Sequence, residues 1–118
     1  MFNQLPKHVE LYLKGKPVGQ IEVNRSADSW HFGSFHPERA FSEFATLFGE
    51  WSLLLHADEN EPTLSSAASD ALRELENAID LLHAELHNPQ TGQRVPVDQL
   101  NIDGELVEVK LVEPPPGA

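Results

Sequence analysis

The sequence predicts an α+β fold: an antiparallel sheet of four or five strands, in the order β-β-β-α-α-β-β, with an antiparallel helical hairpin packed on one face. Three observations predict it. Segments near both ends of the chain alternate apolar and polar residues with period two, as half-buried strands do. The middle of the chain repeats its apolar residues every three to four positions, as amphipathic helices do. Glycine-bearing turns join the alternating segments in pairs, which makes hairpins.

Residues 8–14, HVELYLK, put Val9, Leu11 and Leu13 on one side and His8, Glu10, Tyr12 and Lys14 on the other. KGKP is turn chemistry, and after it Ile21 and Val23 alternate with Gln20, Glu22 and Asn24. These two segments form the first hairpin. RSADS (25–29) reads as a loop, and WHF starts a third short strand with Trp30 and Phe32 facing the core and His31 on the opposite face. His36-Pro37-Glu38 reads as a helix start, because proline suits the first helical position and an acid suits the positive end of the dipole.

From there Phe41, Phe44, Phe48, Trp51 and Leu55 step by three and four. With Ala40, Ala45, Leu47 and Leu54 they cover about half the helix circumference, enough to touch a sheet and a second helix. Trp51, Phe44 and Phe48 are therefore the expected deepest large side chains. HADENEPT (56–63) is a polar loop. The second helix runs from about Leu64 to His87, carries the stripe Leu72, Leu75, Ile79, Leu82 and Leu86, and stops at Asn88-Pro89, since the residue before proline avoids the helical region. Leu53 and Leu81 fall on the polar sides of their helices.

PQTGQRVPVDQ (89–99) reads as a loop with a short extended piece at Val95 and Val97. LNI and ELVEVKLV then make a second hairpin about Asp103-Gly104, a strong two-residue turn signal. Residues 1–113 are read as a single domain and 114–118 as a flexible proline-rich tail.

The chain has 118 residues and no cysteine. Disulfide scaffolds, thiolate zinc sites, iron–sulfur clusters and a cysteine nucleophile are thereby excluded. The N-terminal residues lack the basic and apolar regions of a signal peptide, so a cytoplasmic location is expected. Net charge is −11, unevenly spread. Residues 1–37 hold three acids against four bases, residues 38–85 hold eleven acids against Arg39 and Arg73, and residues 86–118 hold five acids against two bases. Such a field repels phosphate backbones. No nucleic acid and no membrane are expected as partners, and a basic protein is the expected partner class. Oligomeric state is not legible.

The ordered run of GKPVG at the first bend, WHFGSFHP leading to AFSEFATLF, an acidic helix pair, and NPQTGQRVPVDQLNIDGE near the C-terminus resembles a family of small uncharacterised bacterial proteins. The likeness spans most of residues 8–110. It implies an α+β fold and no known activity. The family pattern often carries a histidine before the isoleucine of the last turn, where this chain has Asn101.

Two constellations contain the residue types of chemical sites. In WHFGSFHP, His31 and His36 with Ser34 could form a base–nucleophile set, but no group to orient the base and no oxyanion site can be named. Core packing, a bend at Gly33 and a helix start account for every residue there. On the second predicted helix, Glu76, Asp80, His83 and His87 fall within about 60° of one face. His83 and His87 stand at i and i+4, a spacing that metal-binding helices use, and Asp80 could complete a carboxylate-assisted site. A solvated acidic face with histidines favoured by the helix C-terminus is the simpler reading. No catalytic residue, metal or cofactor is assigned. The expected function is a small acidic protein–protein interaction or regulatory, inhibitory module. A small metal-dependent protein or enzyme using His83 and His87 is the alternative.

Overall fold

The structure is a computed structural model, and it describes residues 6–60 and 66–112. The tail at 114–118 lies outside those residues, as does Pro62 of the expected inter-helix loop. Six antiparallel strands form a closed barrel: β1 (His8–Leu13), β2 (Lys16–Ala27), β3 (Trp30–Pro37), β4 (Glu85–His87), β5 (Arg94–Asp103) and β6 (Leu106–Leu111). A 3-10 turn at Arg39–Glu43 and two helices, α1 (Ala45–Asn60) and α2 (Ser66–Asp80), separate β3 from β4. Around the barrel the strand order is β1-β2-β3-β6-β5-β4.

The open sheet of four or five strands with helices on one face is overturned. Closure depends on β4, three residues long, which pairs β1 through Leu11↔Leu86 on one side and β5 through Leu86↔Val95 on the other. The sequence pattern makes this segment the end of the second helix. That helix instead stops at Asp80, and His83, at φ +50, turns the chain. Leu82, Ala84 and Leu86 are all buried, with His83 exposed between them. Leu82 and Leu86 satisfy a helical step of four and a strand step of two equally well, and only Ala84 separates the two readings.

Three bulges curl the sheet, between Leu11 and Tyr12, Val23 and Arg25, and Val97 and Gln99. An extra residue on one strand raises local twist, and twist brings the ends of a sheet together. Gly33 serves the same end: a β-carbon there would lie 2.0 Å from the carbonyl oxygen of Glu22. β2 and β3 can approach this closely only over a residue without a side chain. With the ring closed, no long edge is left to pair with another chain.

The turns explain two further differences. Lys14 and Gly15, both at positive φ, form the loop between Leu13 and Lys16, the pattern of a type I′ turn. Between β5 and β6, Asp103 pairs with Leu106, so the turn residues are Gly104-Glu105, one step later than expected. The RSADS loop is mostly strand. β2 continues to Ala27, which pairs with Trp30, and the reversal is confined to Asp28-Ser29 with Asp28 at φ +57, a region that aspartate tolerates better than most residues.

β3 is a full strand, and its inner face is the reverse of the expected one. His31, Gly33 and Phe35 are buried, whereas Trp30, Phe32 and Ser34 are half-buried on the outside. A three-residue alternation carries no sign of which phase is inside, and the two large aromatics suggested the wrong one. Outside, Trp30 and Phe32 stack at 6.3 Å and the Arg25 guanidinium lies 4.5 Å over the Phe32 ring, which shields those rings without burying them.

Pro37 ends β3 rather than starting a helix. The first helical stripe is split between the 3-10 turn and α1, with the break at Phe44 (φ −112°). Phe41 nonetheless packs edge-on against Phe35 at 4.9 Å and stacks on Phe48 at 5.8 Å. The helices are antiparallel, since Leu47 shares a groove with Ala78 and Leu82, and Leu54 with Ala71 and Leu75. They close one mouth of the barrel. The Lys14 amide at the β1–β2 turn donates to the Leu82 carbonyl at 2.8 Å, and Ser52 Oγ donates to the Ile102 carbonyl at 3.3 Å near the end of β5.

Phe44, Phe48 and Trp51 are buried at that mouth, yet they are not the deepest large side chains. Phe35, Leu11, Leu13 and Leu111 inside the barrel are more completely enclosed. Barrel interior and helix underside form one continuous apolar core.

Candidate functional site

The structure disperses the residues that the sequence grouped. Asp80 is the exposed last residue of α2, His83 is exposed in the following turn, and His87 is in β4. The helical i, i+4 spacing behind the metal reading does not exist, because the helix ends before either histidine. His87 stacks on Tyr12, with ring centroids 3.6 Å apart and planes 12° from parallel, while its Nε2 lies 4.0 Å from a Glu85 carboxylate oxygen. Among the described residues, no group of three or more histidines, aspartates or glutamates could hold a metal ion.

The base–nucleophile set fails for a different reason: alternation on β3 sends His31 inward and Ser34 and His36 outward. His31 is 1% exposed. Its Nδ1 shares a 2.6 Å hydrogen bond with Ser26 Oγ, and its Nε2 is buried with no partner. Desolvation pushes its pKa below the ordinary histidine value, since burial disfavours the imidazolium.

This depression has a consequence for stability. The unfolded chain binds a proton on His31 more readily than the folded chain does, so the His31 contribution is complete above the ordinary histidine pKa. It is lost as pH falls below that value toward the depressed one. Denaturant titrations between about pH 8 and pH 5 should show stability falling with acid. His31→Gln should reduce that slope, and an unchanged slope would contradict the burial.

Among the described residues, three grooves border the helical hairpin. The first, about 470 Å³, lies between the helices, with Leu53, Leu54, Ala71 and Leu75 as its floor and Glu50 and Glu74 beside it. Leu53 is 74% exposed there. The second, about 340 Å³, lies between the hairpin and the barrel wall. Trp51, Leu55, Ile79 and Leu100 are its apolar lining, and Glu76, Asp80, Glu108, Gln99 and Asn101 supply its polar groups. Among the described residues, no basic residue lines either one. The third holds the exposed Leu81 and is lined by Lys14 and Lys16 as well as Glu43.

In the sequence Glu76 and Asp80 share one helix face, and Leu53 and Leu81 fall on the polar sides of their helices. Gln99, Asn101 and Glu108 carry no such signal. These are brought to α2 only by the barrel, and no local pattern in residues 99–108 signals it.

No helix among the described residues is long and apolar enough to cross a membrane. Comparison of the chain with protein-family models, curated proteins and solved structures finds no match.

Proposed function

We propose that the protein is a small acidic interaction module, regulatory or inhibitory in effect, that docks a basic segment of another protein on its helical hairpin. The observation that carries this reading is the groove between α1 and α2. Its leucines are presented to solvent, Leu53 most of all, and among the described residues its charged lining is Glu50 and Glu74. Exposed apolar surface with polar flanks is the usual composition of a recognition site. The surrounding charge adds to this, since residues 38–85 contain eleven acids and two arginines. A field of one sign speeds encounter with an oppositely charged partner and discriminates against wrong ones.

The test is association kinetics with a basic partner captured from lysate. Reversing Glu74, Asp80 and Glu85 to lysine should slow association by roughly tenfold or more at low salt. Rising salt should slow the parent protein toward the variant, because a Debye length of about 8 Å at physiological ionic strength screens long-range attraction. Equal, salt-independent rates would leave the charge with a role in solubility alone.

A further inference from the structure

We infer that the exposed face of the helical hairpin is a self-recognition surface, on which a second copy of the chain docks end for end about a two-fold axis. The inference rests on the reading of the hairpin as a docking surface and names the basic partner. Two of the grooves described above lie along this face. Leu54 and Ala71 line the first with Glu50 and Glu74, and Leu47 and Ala78 line the other with Lys14 and Lys16. Leu47 and Leu54 are seven residues apart on α1, as are Ala71 and Ala78 on α2. Seven residues are two helical turns, about 10 Å, with the same side facing out. The two grooves are therefore one apolar stripe. An exposed leucine stands towards each end of it, Leu53 (74%) and Leu81 (65%).

The charge along this stripe changes sign. Glu50 and Glu74 flank the Leu53 end. At the Leu81 end Lys16 is matched by Glu43 at 3.3 Å, which leaves Lys14 in surplus. Neither Glu50, Glu74 nor Lys14 has an ion-pair partner among the described residues. Lys14 is fixed at this end, because its amide donates to the Leu82 carbonyl at 2.8 Å.

A partner that covers the whole stripe must be basic where it meets Leu53 and acidic where it meets Leu81. The same stripe turned end for end has that order. A two-fold axis between the grooves sets Leu81 of each copy towards Leu53 of the other and brings each Lys14 towards the other copy's Glu50 and Glu74. Every contact is then made twice, and the pair is closed. A uniformly basic segment would match the acids but set like charge against Lys14, and a uniformly acidic one would do the reverse. Burial of the leucines supplies the attraction, and the charges select the orientation. The net charge of −11 on each copy opposes approach at low salt, but at physiological ionic strength it is screened beyond about 8 Å.

Sedimentation equilibrium of the full chain at physiological ionic strength should show a monomer–dimer equilibrium by about 0.5 mM, the weak end of specific association. Leu53→Ser and Leu81→Ser should each weaken the dimer by about tenfold or more. Both residues are exposed, so the denaturant midpoint of the dilute monomer should hardly move. Glu50→Lys with Glu74→Lys makes both ends of the stripe basic, and Lys14→Glu with Lys16→Glu makes both ends acidic. Each double variant alone should be monomeric, and an equimolar mixture should restore a mixed dimer. Both variants keep a net negative charge, so restoration cannot come from overall attraction between them.

A parent chain that stays monomeric at about 0.5 mM, leucine variants that associate as the parent does, or a mixture no better than its components would overturn the inference. If the chain is monomeric while association with a foreign basic partner stays charge-dependent, the module reading stands and the second copy falls. If the mixture dimerises but reversal of Glu74, Asp80 and Glu85 leaves foreign association unchanged, the dimer stands and docking of a foreign segment falls.

Discussion

Gly33→Ala should unfold the protein or destabilise it by on the order of 4 kcal/mol or more, in the range reserved for gross steric or burial defects. The added β-carbon would lie 2.0 Å from the Glu22 carbonyl oxygen and 2.9 Å from its carbon. Both atoms belong to backbone, so no rotamer change relieves the contact. The two strands would have to separate at the point where the barrel curls. Gly49 in α1 provides the contrast, because a β-carbon there meets nothing within 4 Å. Gly49→Ala should stabilise by about 0.5–1 kcal/mol, the ordinary helix preference. Denaturant midpoints of the two variants measure both effects. Similar, small shifts for the pair would mean that β2 and β3 are not so close.

Phe35→Ala should cost about 3–5 kcal/mol, a large share of the stability of a domain this size. The Phe35 side chain is 1% exposed, and the ring packs edge-on against Phe41, so its loss leaves a cavity where the barrel interior meets the helical cap. Trp51→Ala and Phe44→Ala are expected in the same range, since both residues are buried at that mouth. Trp30→Ala is the control for strand phase. Trp30 is half-buried on the outer wall, and its truncation should cost clearly less than that of Phe35. The opposite order, read from equilibrium unfolding, would restore the phase that the sequence suggested for β3.

Much of the local structure is legible in the sequence because it depends on near neighbours. Val9, Leu11 and Leu13 all face inward as their alternation requires, and so do Val107, Val109 and Leu111. The Lys14-Gly15 turn and both helices also follow from local pattern, although α1 both begins and ends later than its stripe implied. The closure is not local. It depends on three residues of β4 whose apolar spacing fits helix and strand alike, and on bulges that no composition rule marks. β5 was split into two pieces by Pro96 and polar residues, yet Pro96 is tolerated opposite Glu85 at the short β4 pairing. The candidate groove inherits the same limit. Glu76 and Asp80 are visible as a helix face, but Glu108 and Asn101 reach them only after the barrel forms.

Residues 81–87 decide the fold, because they either continue α2 or leave it to close the barrel. Nuclear Overhauser contacts of the backbone measure this directly. A closed barrel predicts cross-strand contacts between Leu11 and Leu86 and between Leu86 and Val95, the pairs that join β4 to both neighbours. It also predicts an extended pattern from Glu85 to His87. A run of sequential amide–amide contacts from Asp80 through His87, with no contact to β1, would contradict the barrel and return the fold to an open sheet beneath a longer helix.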